Sequence, residues 1–311
     1  MESISFSPAE NAENYIDIGR KKTELPVYKL LLLGILAGAF IAFASEGSNV
    51  AIHTIKSTGI AKALAGAIFS TGLMMVVITG AELFTGNSLV VAVCLEKSAG
   101  WTKLLRNWFF VYIGNFIGSM LIVVFIYLSG QYNFTDGMLG GFTIKTAVYK
   151  VGLSFTNAFF MGILCNWLVC MAVWMSYSAK DISGKLLAIF FPIWLFITSG
   201  FEHSIANMYY IPAGIIAKTN KLWTEQAMFL GVTVNGLKSL TWGAFIVKNL
   251  IPVTLGNIVG GSLFVGAAYW LAFLYKGKKA EAATGLGPVR LNKNAADGSK
   301  AADDFKNIAN Y

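Results

Sequence analysis

A chain of 311 residues that is 56% hydrophobic and 13% charged, with mean hydropathy +0.62, is too apolar for a water-solvated domain of this length and reads as a membrane protein. Its net charge of +8 comes without an interleaved basic and aromatic surface, which excludes a nucleic-acid binder. The three cysteines, Cys94, Cys165 and Cys170, sit in or at the edge of apolar runs without metal-ligand spacing, so they read as packing residues, with no metal and no cofactor implied.

Residues 1–28 form a cytoplasmic segment. Ser7-Pro8-Ala9-Glu10 is a capping box with proline at the first helical position, which predicts a short helix to about Lys22. That helix is either a surface helix at the membrane or a lid on the cytoplasmic mouth. The acidic, polar start gives no sign of a cleavable signal.

Residues 29–276 read as the membrane-spanning domain. A spanning helix needs about 20 apolar residues. Segment 1 runs from Leu30 to about Val50 and carries Gly34-Ile-Leu-Ala-Gly38, small residues suited to close helix approach. Segment 2 runs from Gly59 to Thr79, breaks across Gly80 to Asn87 and resumes to about Leu95. Segment 3, Leu104 to Ser129, carries Gly114-Asn-Phe-Ile-Gly118, and segment 4, Val151 to Ser178, carries Gly162-Ile-Leu-Cys-Asn166. Segment 5, Leu186 to Ala217, breaks across Gly200 to Asn207, and segment 6, Leu250 to Tyr275, carries Gly256-Asn-Ile-Val-Gly260. An insert at 218–248, amphipathic and containing Trp223 and Trp242, is expected to lie at the outer interface as an extra helix or cap. The tail, 277–311, reads as disordered and cytoplasmic.

Three motifs recur in the same order: Gly-Ile-Leu in segments 1 and 4, Gly-x-Glu-x4-Asn in segments 2 and 5, and Gly-Asn-x-x-Gly in segments 3 and 6. An odd number of segments per half forces opposite orientations. The fold class is therefore all-α integral membrane, six transmembrane helices in two inverted three-helix repeats, with the second and fifth helices broken. Sixteen of the 24 Lys and Arg residues fall on the side of the termini, which places both termini in the cytoplasm.

Breaking a helix at membrane depth exposes backbone groups that only protein or a water-lined cavity can satisfy, so each break marks a pathway. A half-helix N-terminus facing the break favours anions. His203, one of two histidines, falls at the second break, where an intramembrane ionisable group marks a substrate or proton path. His53 lies near an outer helix end and carries no role. Glu82 and Glu202, with Asn87 and Asn207, read as structural anchors of the broken helices. Leu83, at the position equivalent to His203, forms with Phe84 a hydrophobic constriction, and Thr85 offers one hydroxyl.

At these kernels the sequence closely resembles the formate/nitrite transporter family, over roughly residues 5 to 278. The residues that carry the resemblance are Val77-Ile-Thr-Gly-Ala-Glu-Leu-Phe-Thr-Gly86, Gly162-Ile-Leu-Cys-Asn-Trp-Leu-Val-Cys-Met-Ala-Val-Trp174, Gly200-Phe-Glu-His-Ser-Ile-Ala-Asn-Met208 and Asn249-Leu-Ile-Pro-Val-Thr-Leu-Gly-Asn-Ile-Val-Gly-Gly261. The resemblance implies an aquaporin-like fold and a homopentamer in the plasma (inner) membrane, with one pore per subunit for small monovalent anions. It implies His203 as central proton donor, Thr85 as its partner and Asn166 as a polar residue near the pore. It implies Lys150 as an anion-attracting vestibule lysine, Leu83 and Phe84 as the inner constriction, and Phe196 as part of the outer one with Phe69 and Leu73 opposite. Formate with a proton is the expected cargo, with nitrite or hydrosulfide as alternatives within the family. A water or glycerol channel is the alternative outside it, disfavoured because no Asn-Pro-Ala occurs. A membrane enzyme lacks a second histidine or a carboxylate cluster in the spans.

Overall fold

A computed structural model describes residues 4–275, and the expected tail at 277–311 lies outside the described residues. The described chain is helical, with one isolated β-bridge between Ser5 and Ala179. In chain order the helices are α1 (Pro8–Glu24), α2 (Val27–Ile52), α3 (Thr58–Thr79), α4 (Val91–Leu95) preceded by the 3₁₀ turn Gly86–Val90, α5 (Trp101–Leu128), α6 (Met138–Val151), α7 (Phe155–Ser178), α8 (Ile182–Ser199), α9 (Ser204–Ala217), α10 (Lys221–Phe229), α11 (Val234–Ser239) and α12 (Trp242–Phe273). Six of them, α2, α3, α5, α7, α8 and α12, are long and apolar enough to cross a membrane.

Local chemistry accounts for the ends. Ser7 accepts from the Glu10 amide while Glu10 accepts from the Ser7 amide, a reciprocal capping box, and that backbone bond holds the Glu10 carboxyl below its ordinary range. Helices α3 and α8 both stop at a glycine in the left-handed region, Gly80 and Gly200, each at φ 76°. A Cβ is strained there, and both glycines turn the chain out of its helix.

The two halves repeat. Helices α2 and α5 pack along Gly34 and Gly38 against Gly114 and Gly118, and α7 packs on α12 along Gly162 against Gly256 and Gly260. A methyl on Gly38 would overlap the Asn115 carbonyl oxygen, and one on Gly256 would overlap that of Phe159. Backbone cannot yield as a side chain does. Gly256→Ala is expected to lower stability by about 1–3 kcal/mol or more, seen as earlier thermal unfolding in detergent.

Three features differ from the expectations. Helix α6 occupies a stretch before segment 4 to which the sequence assigned no element. The last span begins at Trp242 rather than Leu250, its helix passing through a π turn at Phe245–Leu250 that accommodates Lys248. The insert is therefore shorter, α10 and α11, with Trp223 of α10 seated on Gly140 of α6 and edge-on to Tyr132 at 5.4 Å. Finally, α1 is the repeat partner of α6: Lys22 precedes Gly34, and Lys150 precedes Gly162, by the same spacing.

Candidate transport site

Each break is held by two sets of bonds, and the sets are duplicated. After α3, the Asn115 amide donates to the carbonyls of Gly34 (2.8 Å) and Glu82 (2.9 Å), while its oxygen accepts from the Phe84 amide at 2.9 Å. After α8, Asn257 donates to the carbonyls of Gly162 (2.8 Å) and Glu202 (3.0 Å), and accepts from the Ser204 amide at 2.9 Å. One asparagine thus satisfies two backbone groups freed by each break and ties them to a carbonyl of the neighbouring helix, α2 or α7, which is why the Gly-Asn-x-x-Gly motif accompanies it.

The second set is ionic. Glu82 accepts from Lys22 at 2.7 Å and from Asn87 at 2.6 Å, Asn87 also donates to Asn107 at 2.9 Å, and Asn107 donates to the Lys22 carbonyl at 3.1 Å. Glu202 accepts from Lys150 at 2.9 Å and from Asn207 at 2.7 Å, Asn207 donates to Asn249 at 2.7 Å, and Asn249 donates to the Lys150 carbonyl at 3.0 Å. Both carboxylates are buried, and their charge is compensated inside the protein. Lys150 is 12% exposed, and its ammonium also lies over the Tyr210 ring at 5.1 Å.

What differs between the halves is carried between these frames. Thr85 Oγ1 lies 2.9 Å from His203 Nε2, and both residues are buried. His203 is the N-cap of α9, its Nδ1 accepting from the Ala206 amide at 3.0 Å. A backbone N–H is an obligatory donor, so Nδ1 carries no proton here. In the neutral ring Nε2 therefore carries the hydrogen and donates it to Thr85. The Thr85 hydroxyl hydrogen is left free to donate to a group in the path. A second proton on Nδ1 breaks the cap and sets a positive charge on the positive end of the α9 dipole. The sequence suggests a histidine that exchanges protons. In this geometry Nδ1 is engaged by the α9 cap and Nε2 faces Thr85.

Apolar side chains bracket the pair. Phe69 and Phe196 meet edge-to-face at 5.6 Å, with the Phe196 ring 6.1 Å from His203. On the other side Leu73 and Leu83 line a cavity that also takes in Tyr15 and Lys22 of α1 and Tyr177 of α7. Leu73 thus lies on the cavity with Leu83 and one turn from Phe69 on the buried face of α3. Phe84 turns to α5, edge-on to Tyr112 at 4.8 Å and Trp108 at 5.8 Å, so of the two expected inner residues Leu83 is the one on the cavity. Asn166 is fully buried, its amide reaching the Thr85 carbonyl (3.2 Å), Ser88 (3.2 Å) and the Asn257 carbonyl (2.6 Å). It fixes the loop that presents Thr85.

A sequence model described as formate/nitrite transporter matches residues 9–271. The chain belongs to the formate/nitrite transporter family. Among its relatives, "Formate channel FocA" of Escherichia coli (strain K12) is 39% identical over 272 residues, 86% of this chain and 94% of that protein. "Uncharacterized transporter YrhG" of Bacillus subtilis (strain 168) is 41% identical over 273 residues, 86% and 93% of the two chains. A solved structure described as "Pentameric formate channel with formate bound" superposes with a TM-score of 0.73 at 40% identity, covering 80% of this chain and 98% of that one. A second, "FNT family ion channel", gives 0.68 at 26% identity, over 85% and 98%. The protein is accordingly a multi-pass membrane channel of this family and not an enzyme.

Within this family frame, Lys22, Asn107, Asn115, Asn249 and Asn257 hold the breaks without having been assigned a role from the sequence. Cys170, expected only to pack, also helps to hold the first break, its thiol reaching the Thr85 carbonyl at 3.3 Å. The signal for Asn115 and Asn257 was present in the repeated Gly-Asn-x-x-Gly motif, that for Asn107 and Asn249 in their equal spacing before it, and that for Lys22 in its spacing from Gly34. Cys170 gives none.

Proposed function

We propose that this protein conducts small monovalent anions of weak acids, formate foremost, through one pore in each subunit of a homopentamer, with both termini in the cytoplasm. The observation that carries this reading is the buried Thr85–His203 pair, 2.9 Å apart, which joins the two breaks and which we read as a polar donor set between two apolar constrictions, Leu83 and Phe196. An ion crossing such a constriction loses hydration worth several kcal/mol, whereas the neutral acid does not. The α9 dipole draws the anion in, and Lys150 contributes at the vestibule as one member of an ion pair. Thr85 then donates its free hydroxyl hydrogen to the anion while a proton from water on the same side joins it, and the neutral acid passes Leu83 or Phe196. Relatives named as formate channels support formate as cargo, and the pentameric solved neighbour supports the pentamer.

Flux into proteoliposomes of formate, nitrite, lactate and hydrosulfide tests the proposal. Formate is expected to pass fastest, and flux of none of the four overturns it. Widening the gate gives a sharper expectation. Phe196→Ala should raise lactate flux relative to formate by about tenfold or more, since even one methylene in an apolar pocket discriminates by that factor.

A further inference from the structure

Glu46 lies in the middle of an apolar helix, α2, and takes no part in the transport site. Its carboxyl is 3% exposed, Oε2 accepts from the Tyr209 hydroxyl of α9 at 2.6 Å, and Oε1 has no partner. Two more buried groups beside it make no hydrogen bond of good geometry: Asn49 Nδ2, one turn further along α2 next to the carboxyl, and the Tyr132 hydroxyl, next to that of Tyr209. Three orphaned polar atoms around one hydrogen bond are not tolerated by a dry protein interior. No ion pair among the described residues includes Glu46, and the ionisable groups bordering it are the phenols of Tyr132, Tyr209 and Tyr210. The repeat does not require an acid here either. The equivalent position in the second half is Trp174, packed on Tyr15 at 5.4 Å.

We propose that Glu46, Asn49, Tyr132 and Tyr209 form a buried site that holds one water molecule and one proton, the proton residing on Glu46. The carboxyl is then a neutral acid: Oε1–H donates to the water, Asn49 donates to the same water, and the water donates to the Tyr132 oxygen. That gives the water three bonds, the usual number for a buried one, and leaves Tyr209 donating to Oε2. An isolated carboxylate at this depth would bear an uncompensated charge. Because Tyr209 is on α9, the site pins to α2 the helix whose first turn is capped by His203. Glu46 is thus a positioning residue acting through α9.

Infrared difference spectroscopy on the purified full-length protein tests this through the C=O stretch of a protonated carboxyl. The band is expected at neutral pH, to shift in D₂O, to vanish in Glu46→Gln and to move to higher frequency in Tyr209→Phe, which removes one hydrogen bond to the carbonyl oxygen. Gln keeps a neutral group of the same shape with an acceptor and a donor, so formate flux in Glu46→Gln should stay within about twofold of the parent, while Glu46→Ala loses flux. Absence of a protonated-carboxyl band that responds to Glu46→Gln overturns the proposal. So does a Tyr209→Phe variant whose band does not move.

Discussion

Replacing Glu202 with alanine is expected to remove a large part of the stability of the folded subunit, and removing the Lys150 charge as well to restore much of what is lost. Glu202 compensates the Lys150 ammonium at 2.9 Å, takes the Asn207 amide at 2.7 Å and is 2% exposed. Its loss leaves a buried cation and an asparagine amide without their acceptor. Breaking a buried pair from one side costs about 3–5 kcal/mol, and a domain has about 5–15 kcal/mol to lose. Removing both charges leaves no buried ion unpaired, so the double variant Lys150→Met with Glu202→Leu should be more stable than Glu202→Ala alone, a clear departure from additivity. Glu82→Ala should behave alike through Lys22. Thermal unfolding in detergent measures all of these variants, and a Glu202→Ala protein that unfolds with the parent would show that the clamp does not hold the break.

The same clamp shows what the sequence could and could not reveal. Both carboxylates and their asparagines could be singled out from the sequence, because a charge that interrupts an apolar run at the same place in each half is too costly to keep unless it holds something. Their partners were not. Lys22 sits in an amphipathic helix among other cations, and only the folded chain brings it beside Glu82 at 2.7 Å. Helix α6 was hidden for a different reason: Gly140-Gly141 and two lysines depress its helical and apolar signal, and α9 and α10 supply by packing what propensity does not. The start of the last span was masked by Lys248, which a π turn places outward on an exposed position. The direction of Phe84, toward Tyr112 rather than the cavity, follows from the Asn115 bond to its own amide, which periodicity cannot see.

His203→Asn is expected to slow formate flux by about 5- to 100-fold while the channel remains folded and keeps its dependence on pH. Asparagine is as good an N-cap as the helix can have, so its oxygen can take over the Ala206 amide from Nδ1 while the donor aimed at Thr85 is lost. A buried hydrogen bond withdrawn from a polar partner costs about 1–3 kcal/mol, which sets that range at about 1.4 kcal/mol per tenfold. His203→Ala loses the cap as well and should be less stable by a further 0.5–2 kcal/mol or so, separating the two duties of one ring. Thr85→Ala should match the flux loss without the stability loss, and Thr85→Ser, which restores the hydroxyl, should recover it. With the pair acting as a unit, Thr85→Ala combined with His203→Asn should be little slower than either alone. The pH profile decides what the imidazole does. If the proton reaches the anion from water along the path, the profile survives every one of these changes, because the titrating species is the weak acid itself. A flattened profile in His203→Asn would mean that the ring takes up the proton at Nδ1, and hence that the cap to Ala206 opens in each transport cycle.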